Sequence, residues 1–198
     1  KEVGAEAHAM RAEEKGRARM TREVVCHGVE APDLGLIGVT RYIEGDTLNI
    51  EWEHIWRTQW LLAGLVSDVR EPGEFFVFEI GPEQILVTRT AKGDLKAFYN
   101  VCQHRGNRLV NERSGRAEDF RCLYHAWTYD LDGELKGVPG LANFSQDPRQ
   151  TRPLKPVALD VWNGLIFVHL GAQPPTLESF LGPVTDLLSG YQFAQMTL

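Results

Sequence analysis

Apolar residues near position 50 follow a helical period. They recur at every third or fourth position, which predicts a helix of about three turns with an aromatic stripe. The stripe consists of Leu48, Trp52, Ile55, Trp56 and Trp60. His54 falls on the opposite face of this helix and is therefore predicted to be solvated rather than a ligand.

From residue 70 the period shortens to that of β-strands. A Pro-Gly turn at 70–73 precedes several short runs in which apolar residues alternate or cluster. The predicted strands are 75–80, 84–89, 95–101, 118–121, 127–130, 134–137, 157–161 and 165–170. Gly-containing turns at 92–94 and 132–133 predict hairpins. Short strands with frequent Gly and Pro turns predict a mainly β, antiparallel fold with flanking helices.

The two ends of the chain have a different character. Residues 1–20 are rich in Ala, Glu, Lys and Arg and predict a helix or a frayed tail, and the stretch that follows is irregular. After Pro174-Pro175 a helical period returns, interrupted at Gly182-Pro183. Its apolar face is formed by Leu177, Phe180, Leu181, Val184, Leu187 and Leu188. Residues 195–198 resemble the start of another strand.

These patterns divide the chain into three parts. Residues 1–44 form a helical or irregular segment, 45–165 the β unit with its leading helix, and 166–198 the start of a further domain. The C-terminal amphipathic segment has no predicted surface to cover. We therefore expect the chain to be a piece of something longer.

Composition narrows the function classes. The 198 residues are 43% hydrophobic and 24% charged, as in globular proteins, and the net charge of -6 argues against a general nucleic-acid binder. No apolar run has the length of a membrane span and no signal peptide opens the sequence. We expect a cytoplasmic protein whose three cysteines stay reduced.

Two short ligand pairs carry the candidate chemistry. Cys102 and His104 form the first pair, and Cys122 and His125 form the second. Zinc is one candidate metal, but structural zinc sites usually pair Cys with Cys and His with His. The mixed order suits a two-iron cluster in which two thiolates hold one iron and two imidazoles hold the other. The third interpretation is that two buried cysteines lie by chance near two histidines whose hydrogen bonds are satisfied, with no metal bound.

The stretches 102–107 and 122–129 resemble the two cluster loops of Rieske non-haem iron oxygenases. These are the large (α) subunits of ring-hydroxylating oxygenases and related demethylases. The likeness runs from about residue 41 to 190 and includes 71–73 and 164–168. The chain departs from the family pattern at Leu123, where Pro is frequent, and at Ala126, where Gly is frequent. These departures could change loop stiffness but leave all four ligands in place.

The resemblance implies that this is the N-terminal Rieske part of a larger α+β oxygenase subunit. A [2Fe–2S] cluster on Cys102, His104, Cys122 and His125 would receive electrons from a ferredoxin or flavin reductase, with NAD(P)H as their source. It would pass them to a mononuclear iron that activates O₂ for hydroxylation, on family precedent of an aromatic hydrocarbon. The resemblance also implies a homotrimer, with or without a small β subunit, and no contact with nucleic acid or membrane.

The mononuclear iron and all catalytic residues are expected only in a catalytic domain that this chain lacks. The family places the two histidine ligands of that iron in an Asp-x-x-His-x₄-His stretch, whereas His169 is the one histidine after His125. A stand-alone Rieske ferredoxin is the alternative function. A stand-alone ferredoxin would need neither the Trp-rich helix nor the C-terminal helical segment.

Four neighbours of the ligands have two interpretations each. Arg105 either donates to a carboxylate near the cluster or steadies its loop, and Gly106 allows either close backbone approach or a tight turn. Tyr124 either bonds near a ligand sulfur or simply packs, and Trp127 is expected to be a hydrophobic lid rather than an electron conduit. Neither loop has the extra cysteine of respiratory Rieske proteins, and Trp127 replaces the Ser that follows the last ligand there, although Tyr129 remains. Fewer hydrogen bonds to sulfur lower the potential, so we expect the low end of the Rieske range, roughly -150 mV to zero.

Overall fold

The computed structural model describes residue 43 and residues 45–195. The predictions for residues 1–42 and for a strand over 196–198 concern residues outside these ranges. Within them the fold is mainly β, with short helices at both ends, as predicted. No described helix is long and apolar enough to cross a membrane.

The described residues form two antiparallel sheets. The strands are β1 (Leu61–Leu65), β2 (Glu74–Ile80), β3 (Glu83–Arg89), β4 (Leu95–Tyr99), β5 (Ser114–Arg116), β6 (Asp119–Arg121), β7 (Thr128–Asp130), β8 (Leu135–Gly137), β9 (Pro156–Trp162) and β10 (Leu165–His169). The larger sheet has seven strands in the order β1-β10-β9-β4-β3-β2-β5. The smaller sheet has three, in the order β6-β7-β8.

Every strand predicted between residues 75 and 170 is present, and two further strands were not predicted. β1 is uniformly apolar and contains Gly64, so it lacks the alternation that marks a strand; pairing with β10 holds it in place, with an irregularity between Leu62 and Gly64. β5 is exposed along its length and pairs with β2 through Phe75 and Gly115. Tertiary pairing forms both strands where local pattern gives no signal.

The predicted Trp-rich helix is present but ends early. An α-helix, α1 (Gly45–Glu51), passes into a π-helical turn, Trp52–Trp56, closed by the Arg57 N–H donating to the Trp52 carbonyl at 3.1 Å. Trp60 therefore lies beyond the helix, where it is buried and its Nε1 donates to the Pro175 carbonyl at 2.9 Å. His54 is exposed, as predicted.

The C-terminal segment is helical and is broken where the sequence predicts. Two short helices, α2 (Leu177–Leu181) and α3 (Val184–Leu187), are separated by Gly182-Pro183. The Thr176 side chain caps α2 by accepting the Ser179 N–H. Leu177 is buried, but Leu187 is exposed, so the predicted apolar face is covered only at its start.

A hydrophobic core joins the two sheets beneath the loops that carry the ligand pairs. It includes Phe75, Leu86, Phe98, Leu109, Phe120, Trp127, Tyr129, Leu135 and Leu154, together with Cys102 and Cys122. The first ligand pair follows β4 of the larger sheet, and the second lies between β6 and β7 of the smaller one. Packing of the sheets on this shared core therefore brings the two pairs together.

Asn100 closes the base of the first ligand loop. Its side chain is buried, donates from Nδ2 to the Val110 carbonyl at 2.8 Å and accepts the Val110 N–H at Oδ1 at 2.9 Å. The Leu109 N–H donates to the Asn100 carbonyl at 3.3 Å. One amide thus joins the end of β4 to the chain that leaves the loop.

We expect Asn100→Ala to lower the free energy of unfolding by about 2–4 kcal/mol, because it leaves the Val110 N–H and carbonyl buried without partners. Urea unfolding followed by tryptophan fluorescence measures the loss. The control is Asn111→Ala, which removes an exposed amide nearby and should cost less than about 0.5 kcal/mol. Equal losses in the two variants would contradict the role given to Asn100.

Candidate metal centre

The structure brings the four predicted ligands together at the ends of two loops, loop 1 (residues 102–107) and loop 2 (residues 122–127). The Cys102 and Cys122 thiols are neighbours, and each residue is only 2% exposed. The ring centroids of His104 and His125 lie 4.6 Å apart, at an interplanar angle of 70°. The donors therefore form a buried sulfur pair and an imidazole pair.

The two loops are closed by the same backbone pattern. In loop 1 the Cys102 N–H donates to the Asn107 carbonyl at 2.8 Å, and the Gly106 N–H donates to the Cys102 carbonyl at 3.0 Å. In loop 2 the Cys122 N–H donates to the Trp127 carbonyl at 2.8 Å, and the Ala126 N–H donates to the Cys122 carbonyl at 2.9 Å. Each turn presents one cysteine and one histidine on a rigid backbone.

The position before the last residue of each loop is left-handed. Gly106 has φ 70° and Ala126 has φ 56°. Glycine adopts this conformation freely, whereas a residue with a Cβ is strained there. A Cβ on Gly106 would meet no atom within 4 Å, so the tight-turn interpretation explains this glycine better than close packing.

The hydroxyl of Tyr129 connects the two loops. Tyr129 lies on β7, just after loop 2, and is fully buried. Its oxygen accepts the Gln103 N–H at 3.0 Å and lies 3.6 Å from the Cys102 sulfur. Because the oxygen already accepts from Gln103, its proton is free to point at the sulfur. Burial, and then the Cys102 thiol, raise the pKa of Tyr129 and keep it a donor.

The surroundings of the two thiols differ. Burial raises the pKa of the Cys102 thiol. Burial also opposes ionisation of Cys122, but hydrogen bonds from the Tyr124 and His125 backbone N–H groups prevail and lower its pKa. The Asn107 side chain adds a donor 3.9 Å from the Cys122 sulfur. Donors directed at sulfur favour the thiolate, which is the metal-binding form.

The two imidazoles are each covered by an aromatic ring. His104 stacks on the buried Trp127, with centroids 4.7 Å apart and planes 7° from parallel. His125 contacts the exposed Tyr124 at 3.8 Å between centroids. Burial, the neighbouring His125 and the cations Arg105 and Arg152 lower the pKa of His104, which favours the neutral, ligating form.

The donor set fits an iron–sulfur cluster. His104 Nδ1 is buried and has no hydrogen-bond partner in the described part of the chain, as expected of an atom meant for a metal. Two free thiols lie buried beside it. Among the described residues, no three His, Cys, Asp or Glu side chains are grouped to hold a single metal ion. A sulfur pair and an imidazole pair match the two ends of a [2Fe–2S] unit.

The predicted neighbours of the ligands have varied outcomes. Trp127 is buried against a ligand ring, Tyr124 packs on the other ring, and Arg105 is exposed. The hydroxyl beside a sulfur belongs to Tyr129, which the sequence retains from the respiratory Rieske pattern, although its contact with Cys102 was not predicted. On the short strand β7, Tyr129 is buried between the half-buried Thr128 and Asp130. A tyrosine that points into the core needs a hydrogen-bond partner for its hydroxyl, and this alternation was the sequence signal for such a contact.

Comparisons with known proteins agree with this geometry. The family described as the Rieske [2Fe–2S] domain matches residues 59–158. The chain is 34% identical over 152 residues to the glycine betaine monooxygenase oxygenase subunit of Pseudomonas aeruginosa, covering 76% of this chain and 35% of that protein. It is 33% identical over 150 residues to the benzene 1,2-dioxygenase subunit alpha of Pseudomonas putida, covering 75% and 33%. The chain thus spans about a third of these relatives.

Solved structures show the same fold. A naphthalene 1,2-dioxygenase from Rhodococcus sp. bound to indole superposes with a TM-score of 0.70 at 31% identity, over 73% of this chain and 33% of that one. The apo form of a quaternary ammonium Rieske monooxygenase superposes with a TM-score of 0.72 at 26% identity, over 76% and 44%. One of these two proteins is named a dioxygenase and the other a monooxygenase.

The matched turns give a prediction about loop strain. Ala126→Gly should stabilise the protein by about 0.5–1 kcal/mol, because it replaces a strained left-handed residue with an unstrained one. Gly106→Ala should destabilise it by about 1 kcal/mol, because it makes the opposite exchange. Urea unfolding measures both changes. Ala91→Gly, at an exposed alanine without a positive φ, is the control and should destabilise slightly. Destabilisation by Ala126→Gly would remove the argument for strain.

Proposed function

This chain belongs to the Rieske [2Fe–2S] domain family, and we propose that it is the electron-transfer portion of a terminal oxygenase. The cluster ligands in this proposal are Cys102, His104, Cys122 and His125. The observation that carries it is the meeting of the cysteine pair and the histidine pair on matched turns, with the buried His104 Nδ1 left without a partner.

When bound, the cluster supplies one-electron chemistry at a potential above that of all-thiolate clusters, because two neutral imidazoles replace two anionic thiolates. The protein supplies what surrounds it. Cys102 and Cys122 keep the sulfur end out of water, and Tyr129 and Asn107 direct donors at those sulfurs. Trp127 holds the ring of His104 in one orientation. Donors to sulfur stabilise added negative charge and so favour the reduced state.

The wider activity rests on the relatives. We propose that electrons derived from NAD(P)H arrive through a ferredoxin or flavin reductase. They leave for a mononuclear iron in a catalytic domain outside this chain, where O₂ is used to hydroxylate a substrate. The dioxygenase relatives support an aromatic substrate, whereas the glycine betaine relatives act on a different kind of molecule. The same proposal includes a homotrimer, with or without a small β subunit, and domain boundaries at residues 44 and 165.

A stand-alone electron carrier remains the second candidate, because it would use the same ligands. The α2–α3 segment argues against it. Exposed apolar side chains such as Leu187, Val184 and Tyr191 on and after these helices are more typical of a surface that packs on another domain.

We expect the purified chain to be red-brown and to give, after dithionite reduction, a rhombic low-temperature EPR signal with average g below that of all-thiolate two-iron clusters. Cys102→Ser, His104→Ala, Cys122→Ser and His125→Ala should each abolish the signal, because each removes one iron ligand. His54→Ala, at an exposed histidine, should leave the signal unchanged.

Cys26→Ser is the matched cysteine control, at a position outside the described residues, and should also keep the signal. A colourless protein containing stoichiometric zinc and no iron would contradict the redox proposal. The chain would then be a binding module whose fold is stabilised by a zinc ion.

The cluster should respond to loss of the Tyr129 hydroxyl. Tyr129→Phe removes a donor to the Cys102 sulfur, a bond that strengthens on reduction, so we expect the reduction potential to fall by about 30–60 mV. Protein-film voltammetry measures the shift. Tyr191→Phe, which alters an exposed tyrosine, should leave the potential unchanged. An unchanged potential in Tyr129→Phe would show that this hydroxyl serves the fold alone.

A further inference from the structure

Arg152 reaches the backbone of loop 1 from a distant part of the sequence. Its Nη1 donates to the Gln103 carbonyl at 3.2 Å, although the two residues are 49 positions apart. It forms no ion pair with any residue that the structure describes. Arg149, on the same segment, is instead paired with Asp147 at 2.6 Å. Among the described residues, the Gln103 carbonyl is therefore the polar partner of the Arg152 side chain.

The segment that carries Arg152 is held on both sides of this residue. The Arg152 N–H donates to the Pro148 carbonyl at 2.9 Å. Pro153 follows and restricts the backbone of Arg152 as well as its own. The next residue, Leu154, is buried, and its N–H donates to the Gly133 carbonyl at 2.8 Å. Although the guanidinium is exposed, it therefore approaches loop 1 from a fixed backbone.

The carbonyl that Arg152 contacts belongs to a peptide group beside two of the candidate ligands. This peptide group joins Gln103 to His104, so its N–H is that of His104. Burial raises the pKa of the Cys102 thiol, and the His104 N–H, which donates to this sulfur, opposes the rise. The guanidinium and the sulfur therefore bind opposite ends of one peptide group.

A cation at the carbonyl end of a peptide group strengthens the donor at its other end. The group is a dipole, with its negative end at the oxygen and its positive end at the N–H. A charged donor makes a stronger hydrogen bond to the oxygen than a neutral one, and hydrogen bonds joined in a chain polarise one another. The bond from His104 to the Cys102 sulfur is therefore stronger with Arg152 in place.

The two cysteines differ in how much they depend on a single backbone donor. The leading influences that lower the pKa of the Cys122 thiol against its burial are two backbone N–H groups, those of Tyr124 and His125. At Cys102 the corresponding backbone donor is His104 alone. The peptide group that the arginine contacts is thus the one on which the Cys102 sulfur chiefly relies.

We propose that Arg152 is a positioning residue for the cluster and acts through the peptide group between Gln103 and His104. This inference rests on the proposed function. The hydrogen bond to the carbonyl fixes that peptide group and strengthens its N–H as a donor to the Cys102 sulfur. A donor to sulfur stabilises the negative charge that reduction adds. Arg152 therefore raises the reduction potential.

Arg105 provides a control for the effect of charge alone. Burial and the neighbouring His125 lower the pKa of His104 most, and the charges of Arg105 and Arg152 add to them. Arg105 is exposed, whereas Arg152 is the arginine that binds the loop carbonyl. A charge that acts through solvent is screened by salt, but a direct hydrogen bond is screened much less. Salt therefore separates the two effects.

The test compares Arg152→Gln with Arg105→Gln in redox titrations at two salt concentrations. At roughly 1 M salt the Debye length is about 3 Å. There, Arg152→Gln should lower the equilibrium constant for cluster reduction about three- to tenfold, which is about 30–60 mV for one electron. Arg105→Gln should stay within about 1.5-fold of wild type at this salt concentration and lower the constant only at roughly 20 mM. Loss of both effects at high salt would overturn the proposal.

Two further arginine variants locate the effect. Arg152→Lys keeps a cationic donor of similar length and should return the equilibrium constant to within about twofold of wild type. Arg149→Gln removes the same charge from the same segment at a residue paired with Asp147, and should leave the constant within about 1.5-fold of wild type. Equal falls in Arg149→Gln and Arg152→Gln, or no recovery in Arg152→Lys, would overturn the proposal.

A purely structural role for Arg152 predicts a different result. Arg152→Gln would then lower the free energy of unfolding in urea and leave the potential of the folded protein at the wild-type value. That outcome, with the EPR signal retained, would overturn the proposal and leave the proposed function intact. Absence of the histidine-ligated EPR signal from the wild-type chain would instead defeat the proposed function itself.

Discussion

Two loops from two different sheets must be held at a fixed separation before four donors can serve one cluster. Tyr129 supplies that link, since it leaves loop 2 on β7 and its hydroxyl binds the backbone of loop 1 at Gln103. The shared core beneath the loops makes the link possible, because it buries this ring between the sheets. Packing of the Tyr129 ring in the core thus positions its hydroxyl to bind Gln103 of loop 1. That hydrogen bond helps to set the distance between the Cys102 and Cys122 sulfurs.

The environment of the site is graded from the sulfurs to the imidazoles. The sulfurs are buried and receive donors from Tyr129 and Asn107, whereas the imidazoles lie nearer the surface under aromatic rings. Burial, the neighbouring His125 and the cations Arg105 and Arg152 act on the imidazole side, where they lower the pKa of His104 and favour its neutral form. The thiols are therefore kept from water, whereas charge and exposure lie on the imidazole side.

The meeting of the four candidate ligands and most of the strands could be predicted from the sequence because their signals are local. Alternation marks a half-buried strand, and paired Cys and His at short spacing mark a metal loop. β1 and β5 escaped prediction because one is uniformly apolar and the other uniformly exposed, so that only their partners β10 and β2 make them strands. The π-helical turn at Trp52–Trp56 escaped for a related reason, since its hydrogen bonds keep nearly the same side-chain period as the predicted α-helix. Asn100 and Tyr129 depend on contacts across the fold that no local pattern records.

The two loops have the same backbone but are not equivalent, and the differences fall on the exposed side. Loop 1 has Gly106 at its left-handed position and a ligand ring stacked on a buried indole. Loop 2 has Ala126 at the corresponding position and a ligand ring that contacts an exposed phenol. A strained turn persists only when its surroundings determine it, so the shape of loop 2 is set by its hydrogen bonds and by the core under Cys122. Because the backbone hydrogen bonds and the core hold that turn, Cys122 and His125 keep their positions although Ala126 gives the turn no conformational preference.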